Sequence, residues 1–312
     1  MLTTEIDRFK AFYRSGQLTE NDYDIINGLA GNLPFLLLDP NQGKHLALAK
    51  RTLTLFVTSV LQMQLSKKNA LVLREKNNGS EIAYYNLGMS HGLSALSAAA
   101  CKGIIVPNQL NAISFLQLFF HDTQMVFTSN VAGRETQVSG WSGTVAIHNQ
   151  TKEVKEVKTL ERMSWCYGTP GILYSQFLAA NALHDSEAIY QTITAFENAT
   201  TLPLENFLIS SPTICHGYSG VLLIYNELAR KTGNVKFSRF RDQIVQKLLS
   251  TFSPAYEFGF YEYDKVFRGT LYNKARRFKD TGILNGSSGV ILSLLSTKSS
   301  AKEWENMFLF NK

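Results

Sequence analysis

Cys166-Tyr167-Gly168-Thr169-Pro170-Gly171-Ile172-Leu173-Tyr174-Ser175-Gln176-Phe177-Leu178-Ala179-Ala180 is the stretch on which the fold turns. A Gly-x-x-Gly opens an apolar run with no polar face of its own, the pattern of a helix packed between other elements rather than one lying on a surface. The same unit returns elsewhere. Gly28-Leu29-Ala30-Gly31 precedes residues 32–38, Gly217-Tyr218-Ser219-Gly220 precedes 221–228, and Gly286-Ser287-Ser288-Gly289 precedes 290–295. A degenerate copy, Gly92-Leu93-Ser94-Ala95, precedes 96–100. A single Gly-x-x-Gly carries little weight, but its return with the same downstream pattern marks an internal repeat.

Between the copies lie amphipathic stretches at 44–65, 187–198 and 237–252, which read as outer helices covering the inner set. Alternating inner and outer helices, with glycines letting backbones approach at one end of a ring, predict an all-α chain folded as an α/α toroid. Such a ring gathers the inner-helix starts at one mouth, where unpaired N–H groups and positive dipole ends favour anions and thiolates. The spacing of the copies is uneven, so the ring carries insertions. Residues 124–158 are rich in β-branched residues, glycine and serine, and 137–147 read as strands and turns. The expected organisation is one toroid domain over 1–312 with a small β-rich insert at 124–158.

A chain of 312 residues that is 45% hydrophobic can bury a large core. Residues 1–14 mix Glu5, Asp7, Arg8 and Lys10 among apolar side chains and do not read as a signal peptide. No run approaches the roughly 18 apolar residues of a membrane span. A cytoplasmic chain with reduced thiols is therefore expected. The net charge of +6 is scattered apart from 152–158 and 274–279, and no nucleic-acid-binding motif accompanies it, so nucleic acid is not an expected partner. A basic surface does suit an acidic peptide or an anionic membrane face.

Two of the three cysteines sit just ahead of a motif glycine: Cys166 in Ser164-Trp165-Cys166-Tyr167-Gly168 and Cys215 in Ile214-Cys215-His216-Gly217. Equivalent placement in a repeat points to metal or nucleophile chemistry rather than to packing. Cys166, Cys215 and His216 form a Cys2His set, which leaves a tetrahedral zinc one open position. Cys101 lies at the far end of its helix and reads as a small buried hydrophobe. His91, in Met89-Ser90-His91-Gly92, occupies the slot of His216 and ionises near neutrality, as a proton donor or acceptor should. Asp22 and Asp24 precede Gly28 and read by themselves as no more than loop and N-cap groups. His45, His121, His148 and His184 lack this registration.

These residues carry a resemblance. Through nearly its whole length, the chain resembles the class I lanthionine synthetase cyclases, the LanC-type enzymes of lantibiotic biosynthesis. The matching segments are residues 22–31, 87–93, 162–171, 215–220 and 282–286, with Trp165-Cys166-Tyr167-Gly168 followed by Cys215-His216-Gly217 the most specific. The resemblance implies an α/α toroid with a small inserted domain, and zinc held by Cys166, Cys215 and His216. It implies an active-site histidine at His91, an active-site aspartate at Asp24 with Asp22 as the fallback, and Arg162 and Tyr167 lining the cavity. The implied reaction adds peptide cysteine thiols to dehydroalanine or dehydrobutyrine, giving lanthionine and methyllanthionine rings. The implied partners are a dehydrated precursor peptide with its leader, a dehydratase and a membrane exporter, which would place the chain in the cytoplasm, peripheral to the membrane in a biosynthetic complex. Members of the family usually begin with further helical hairpins ahead of this chain's start, so the ring is expected to be incomplete at its N-terminus. Ala95 departs from the second motif glycine.

Two other readings differ in class. A peptide- or thiol-binding scaffold would keep the zinc without turnover. A zinc-dependent protein prenyltransferase shares the toroid, but needs a basic diphosphate pocket toward which the mouth offers only Arg162.

Overall fold

The computed structural model describes residues 2–15, 19–37, 43–65, 71–77, 80–103, 105–131, 134–147, 154–155, 162–267, 270–299 and 303–310. The first half carries α1 (Leu2–Ser15), α2 (Glu20–Tyr23), α3 (Leu29–Leu37), α4 (Gly43–Leu65), β1 (Leu73–Asn77), β2 (Ser80–Asn86), α5 (Leu93–Ala100) and α6 (Gln109–Asp122). Strands β3 (Met125–Val131), β4 (Arg134–Gly140), β5 (Thr144–Ile147) and β6 (Val154–Lys155) follow. The second half carries α7 (Thr169–Ala182), α8 (Ser186–Ala199), α9 (Tyr218–Thr232), α10 (Val235–Ser250), β7 (Glu262–Phe267), β8 (Thr270–Phe278) and α11 (Ser287–Ser296), with a 3-10 turn at Glu303–Phe308.

Every motif copy opens a helix of the inner layer. Helices α3, α5, α7, α9 and α11 contact one another in succession, and the turn at Glu303–Phe308 packs back on α3. Their burial explains their composition: α7 is buried from Thr169 to Phe177 and α5 along its whole length. The outer helices α4, α8 and α10 lie over α3, α7 and α9. Two of them, α8 and α10, are capped by a side chain at their start. Asp185 accepts the Ala188 N–H at 3.0 Å at the start of α8, and Asn234 accepts the Lys236 N–H at 2.9 Å at the start of α10. This arrangement is the α/α toroid that the repeat predicted.

The strands extend beyond the expected insert. Antiparallel β1, β2, β5 and β6 form one sheet, so half of it comes from residues 73–86, ahead of the 124–158 segment. Strands β3 and β4 form a separate hairpin, and β7 and β8 a third unit from which no strand was expected. Residues 132–133, 148–153 and 156–158 of the expected insert, and with them much of the basic stretch 152–158, lie outside the described residues. Among the described residues no helix is long and apolar enough to cross a membrane.

Candidate active site

The mouth is built by one backbone chain of hydrogen bonds running through five consecutive repeats. Ile25 N–H donates to the Ser90 carbonyl at 3.1 Å, and Met89 and Ser90 N–H donate to the Cys166 carbonyl at 2.9 and 3.3 Å. Cys166 N–H donates to the Cys215 carbonyl at 3.0 Å, and Cys215 N–H to the Leu284 carbonyl at 3.1 Å. Each inner-helix entry thereby holds the next. The expectation of open helix N-termini needs correcting, because loop carbonyls already accept several of those N–H groups. Gly31 donates to Asp24, Tyr218 to Ser211, Ser219 to Pro212 and Ser287 to Asp280. Gly168 has φ 133° and a Cβ there would strike the Arg162 carbonyl, so this entry admits only glycine.

Asp24 and His91 meet at this mouth. Asp24 is fully buried, and its Oδ1 accepts the N–H groups of Asn27 at 2.5 Å and Gly28 at 2.8 Å. Its Oδ2 lies 2.5 Å from His91 Nδ1. The alternative acid, Asp22, is used elsewhere: Thr19 N–H and Oγ1 both donate to its Oδ2 at 2.9 Å, and Arg8 lies 3.5 Å from its Oδ1. Burial works to lower the His91 pKa, but the hydrogen bond and charge of Asp24 outweigh it, so the imidazole titrates above its usual value. With Nδ1 engaged by Asp24, Nε2 is the nitrogen left to exchange a proton.

Cys166 and Cys215 come together from different repeats and are both free thiols. Burial opposes charge on Cys166, yet the Cys215 thiol, His216, Ser164 and Arg162 together hold its pKa down to about 6. The Cys215 thiol moves the other way, raised by its hydrogen bond to Cys166 and by burial. The two thiols are shifted in opposite directions by the one hydrogen bond they share. Cys101 is different in kind: its Sγ lies 3.1 Å from the Ser97 carbonyl, and burial pushes its thiol up to about 12.

His216 does not complete a ready metal cluster. Its Nε2 is buried and lies 3.0 Å from Glu262 Oε1 at the start of β7, an ion-pair contact of poor hydrogen-bond alignment. Among the described residues, no three His, Cys, Asp or Glu side chains are gathered to hold a metal ion. The donor set nevertheless fits zinc chemically: two adjacent thiols, one with a depressed pKa, and in the same turn an imidazole whose buried ring nitrogen faces a carboxylate.

Tyr167 and Arg162 frame the two pairs. The Tyr167 ring lies 5.9 Å from the His91 ring and packs on Gly88 and Gly143. Burial pushes its hydroxyl well above the ordinary tyrosine range. The Arg162 charge acts on Cys166, Cys215 and His216 alike. Three neighbours escaped the sequence reading: Glu20 and Asn86, whose side chains meet at 2.5 Å beside Tyr167, and Glu262. Asn86 had a readable signal, since it stands as far ahead of Gly92 as Ser211 and Asp280 stand ahead of their own motif glycines. Glu20 and Glu262 had none. A cleft of about 950 Å³ between α6, β4 and α8 contains none of the candidate site residues.

Comparison with known proteins agrees with this architecture. Residues 2–309 match the family of lanthionine synthetase C-like proteins. The nisin biosynthesis protein NisC of Lactococcus lactis subsp. lactis is 25% identical over 240 residues, which are 72% of this chain and 54% of that protein. The chain thus spans about half the length of the curated relative it matches. The solved structure of nisin cyclase superposes with a TM-score of 0.73 over 99% of this chain and 72% of that chain, at 21% identity, a likeness of fold.

Proposed function

The chain belongs to the lanthionine synthetase C-like family, and from that premise we propose that it closes thioether rings in a dehydrated precursor peptide. The reaction is the intramolecular addition of a cysteine thiol to dehydroalanine or dehydrobutyrine. The observation that carries the reading is the meeting, at one mouth, of an Asp24–His91 pair whose carboxylate is buried and a Cys166–Cys215 pair, linked through the Ser90-to-Cys166 backbone bond.

A free cysteine thiol is only a few per cent ionised at neutral pH, and the addition needs the thiolate. Zinc is the metal we assign to Cys166, Cys215 and His216; when bound, it supplies a Lewis acid that favours the deprotonated substrate thiol. The depressed Cys166 pKa makes that pair a ready soft donor set. Attack of sulfur on the β-carbon moves the double-bond electrons onto the enolate, which takes a proton at the α-carbon. The sum is redox-neutral: the thiol loses the proton that the α-carbon gains.

His91 is the proton donor in this scheme. Asp24 fixes its Nδ1 and raises its pKa, which favours the protonated ring and leaves Nε2 available. Tyr167, kept protonated by burial, and Arg162, carrying a fixed positive charge, are the groups to steady the enolate oxygen. The proposed partners are a leader-bearing precursor, for which the net positive charge suits acidic segments, together with a dehydratase and a membrane exporter.

The test is to incubate the zinc-loaded protein with a dehydrated precursor and follow free thiols and ring formation. Thiols should disappear without change of peptide mass. Cys215→Ala should lose stoichiometric zinc, read by metal analysis, together with cyclisation. Thiols that persist with the intact protein would leave only a peptide-binding scaffold.

A further inference from the structure

Asn86 closes β2, outside the repeat helices, yet its three side-chain contacts all lead into the site. Its Oδ1 accepts the Gly88 N–H at 2.8 Å. Its Nδ2 donates to Glu20 Oε1 at 2.5 Å and to Tyr167 Oη at 3.2 Å. The side chain is 2% exposed, so these contacts leave it little recourse to water. They also fix which end of the amide is which. Turning the group over would set oxygen against the Glu20 carboxylate and place the NH2 against the Gly88 N–H, two clashes of like with like.

The turn made by Oδ1 recurs around the mouth. Ser211 Oγ accepts the Thr213 N–H at 3.2 Å, and Asp280 Oδ1 accepts the Gly282 N–H at 2.6 Å, in each case ahead of the next motif glycine. Serine and aspartate therefore satisfy the turn. What asparagine adds at 86 is the pair of donors, and both are used. One of them acts on Tyr167. Because Tyr167 Oη accepts from Asn86, its own proton is not spent on that contact and remains for a substrate oxygen. Glu20, holding the second amide hydrogen, keeps Nδ2 from turning away.

We propose that Asn86, braced by Glu20 and Gly88, is a positioning residue that holds the Tyr167 phenol as an acceptor on one side, so that its O–H is donated to the enolate oxygen of the substrate. The proposal rests on the cyclase reading above and goes beyond it by assigning the device that orients one of its groups.

The experiment compares Asn86→Ser and Asn86→Asp, which keep the turn acceptor as Ser211 and Asp280 do, with Tyr167→Phe and the double variant Asn86→Ser/Tyr167→Phe. In the full chain labelled with 13Cζ-tyrosine, the Tyr167 resonance is identified by its loss in Tyr167→Phe. It should shift in both Asn86 variants while the other tyrosine resonances hold their places. With a leader-bearing probe peptide carrying one dehydroalanine and one cysteine, kcat should fall about tenfold in Asn86→Ser and in Tyr167→Phe, with KM little changed. The double variant should be no slower than Tyr167→Phe, since Asn86 acts through the hydroxyl. Losses that multiply in the double variant, or an unmoved Tyr167 resonance, overturn the proposal. An intact protein that leaves the probe thiol unreacted instead overturns the cyclase reading, and the tyrosine resonance then decides by itself whether Asn86 holds Tyr167.

Discussion

Asp24 does two things with one carboxylate. Through Oδ1 it ties down the turn into α3 by the N–H groups of Asn27 and Gly28, and through Oδ2 it holds His91. Replacing it by asparagine keeps the shape and removes the main charge that lifts the His91 pKa, leaving burial, which lowers it, opposed only by the smaller effects of Glu20 and Cys166. If protonated His91 is the donor, the alkaline limb of the cyclisation pH profile should move to lower pH in Asp24→Asn, with kcat at neutral pH down by about tenfold or more. A profile in register with that of the parent protein would remove His91 from the donor role. The stability linkage has a definite sign. His91 gains proton affinity on folding, so the pair's contribution is fully present below the unfolded value of 6.5 and is lost as pH rises through the raised folded value. At this scale the sequence left Asp22 and Asp24 both open. The choice follows from contacts no spacing reveals, because Asp22 is taken by Thr19 and Arg8 while Asp24 faces a histidine from another repeat.

The inner helices depend on their second motif glycine for a reason visible in the packing. A Cβ at Gly220 would run into the Ile214 carbonyl and lie 2.7 Å from the Trp165 Cβ; Gly171 and Gly289 abut the carbonyls of Trp165 and Ile283 in the same way. Alanine is the better helix former, but here its methyl meets fixed backbone, and the steric cost outweighs the gain in propensity. Gly220→Ala should therefore destabilise the protein by about 1–3 kcal/mol in chemical denaturation. Because Ile214 adjoins Cys215, it should also change the reactivity of the thiol pair toward a thiol reagent. An unchanged denaturation midpoint would show that the Ile214 turn can yield. Ala95, buried in α5, is the copy that carries this methyl. The helices were readable because the repeat writes the same packing solution several times. Strands β1 and β8 were not, since Leu73-Arg74-Glu75-Lys76-Asn77 and the arginine- and lysine-bearing β8 lack the apolar alternation of a half-buried strand and are specified by their partners.

Across the molecule, the turn at Glu303–Phe308 joins parts of the ring that are far apart in sequence. It packs on α3, Phe308 lies edge-on to Trp165 at 5.3 Å, and Phe310 lies 5.0 Å from Tyr174 of α7. Lys102, just past α5, reaches the Phe310 carbonyl at 3.4 Å. Trp165 in turn is the neighbour of Cys166, so this segment supports the floor of the mouth. Phe308, 3% exposed, should cost about 3–5 kcal/mol when cut to alanine, read by chemical denaturation. The change should also alter tryptophan fluorescence through Trp165. A loss below about 1 kcal/mol would show that the segment merely lies against the ring.

The sequence by itself determined the repeat, hence the circular helical architecture and the placing of Cys166, Cys215, His216 and His91 at inner-helix entries, because a packing motif written several times leaves a periodic record. It also sufficed for the family resemblance. Only the tertiary structure decided which groups touch: Asp24 rather than Asp22 on His91, Glu262 on His216, and Asn86 and Glu20 beside Tyr167. Those contacts join residues from different repeats, or from strands outside the repeat, and a side chain's partner across such a distance is set by how the repeats pack on one another.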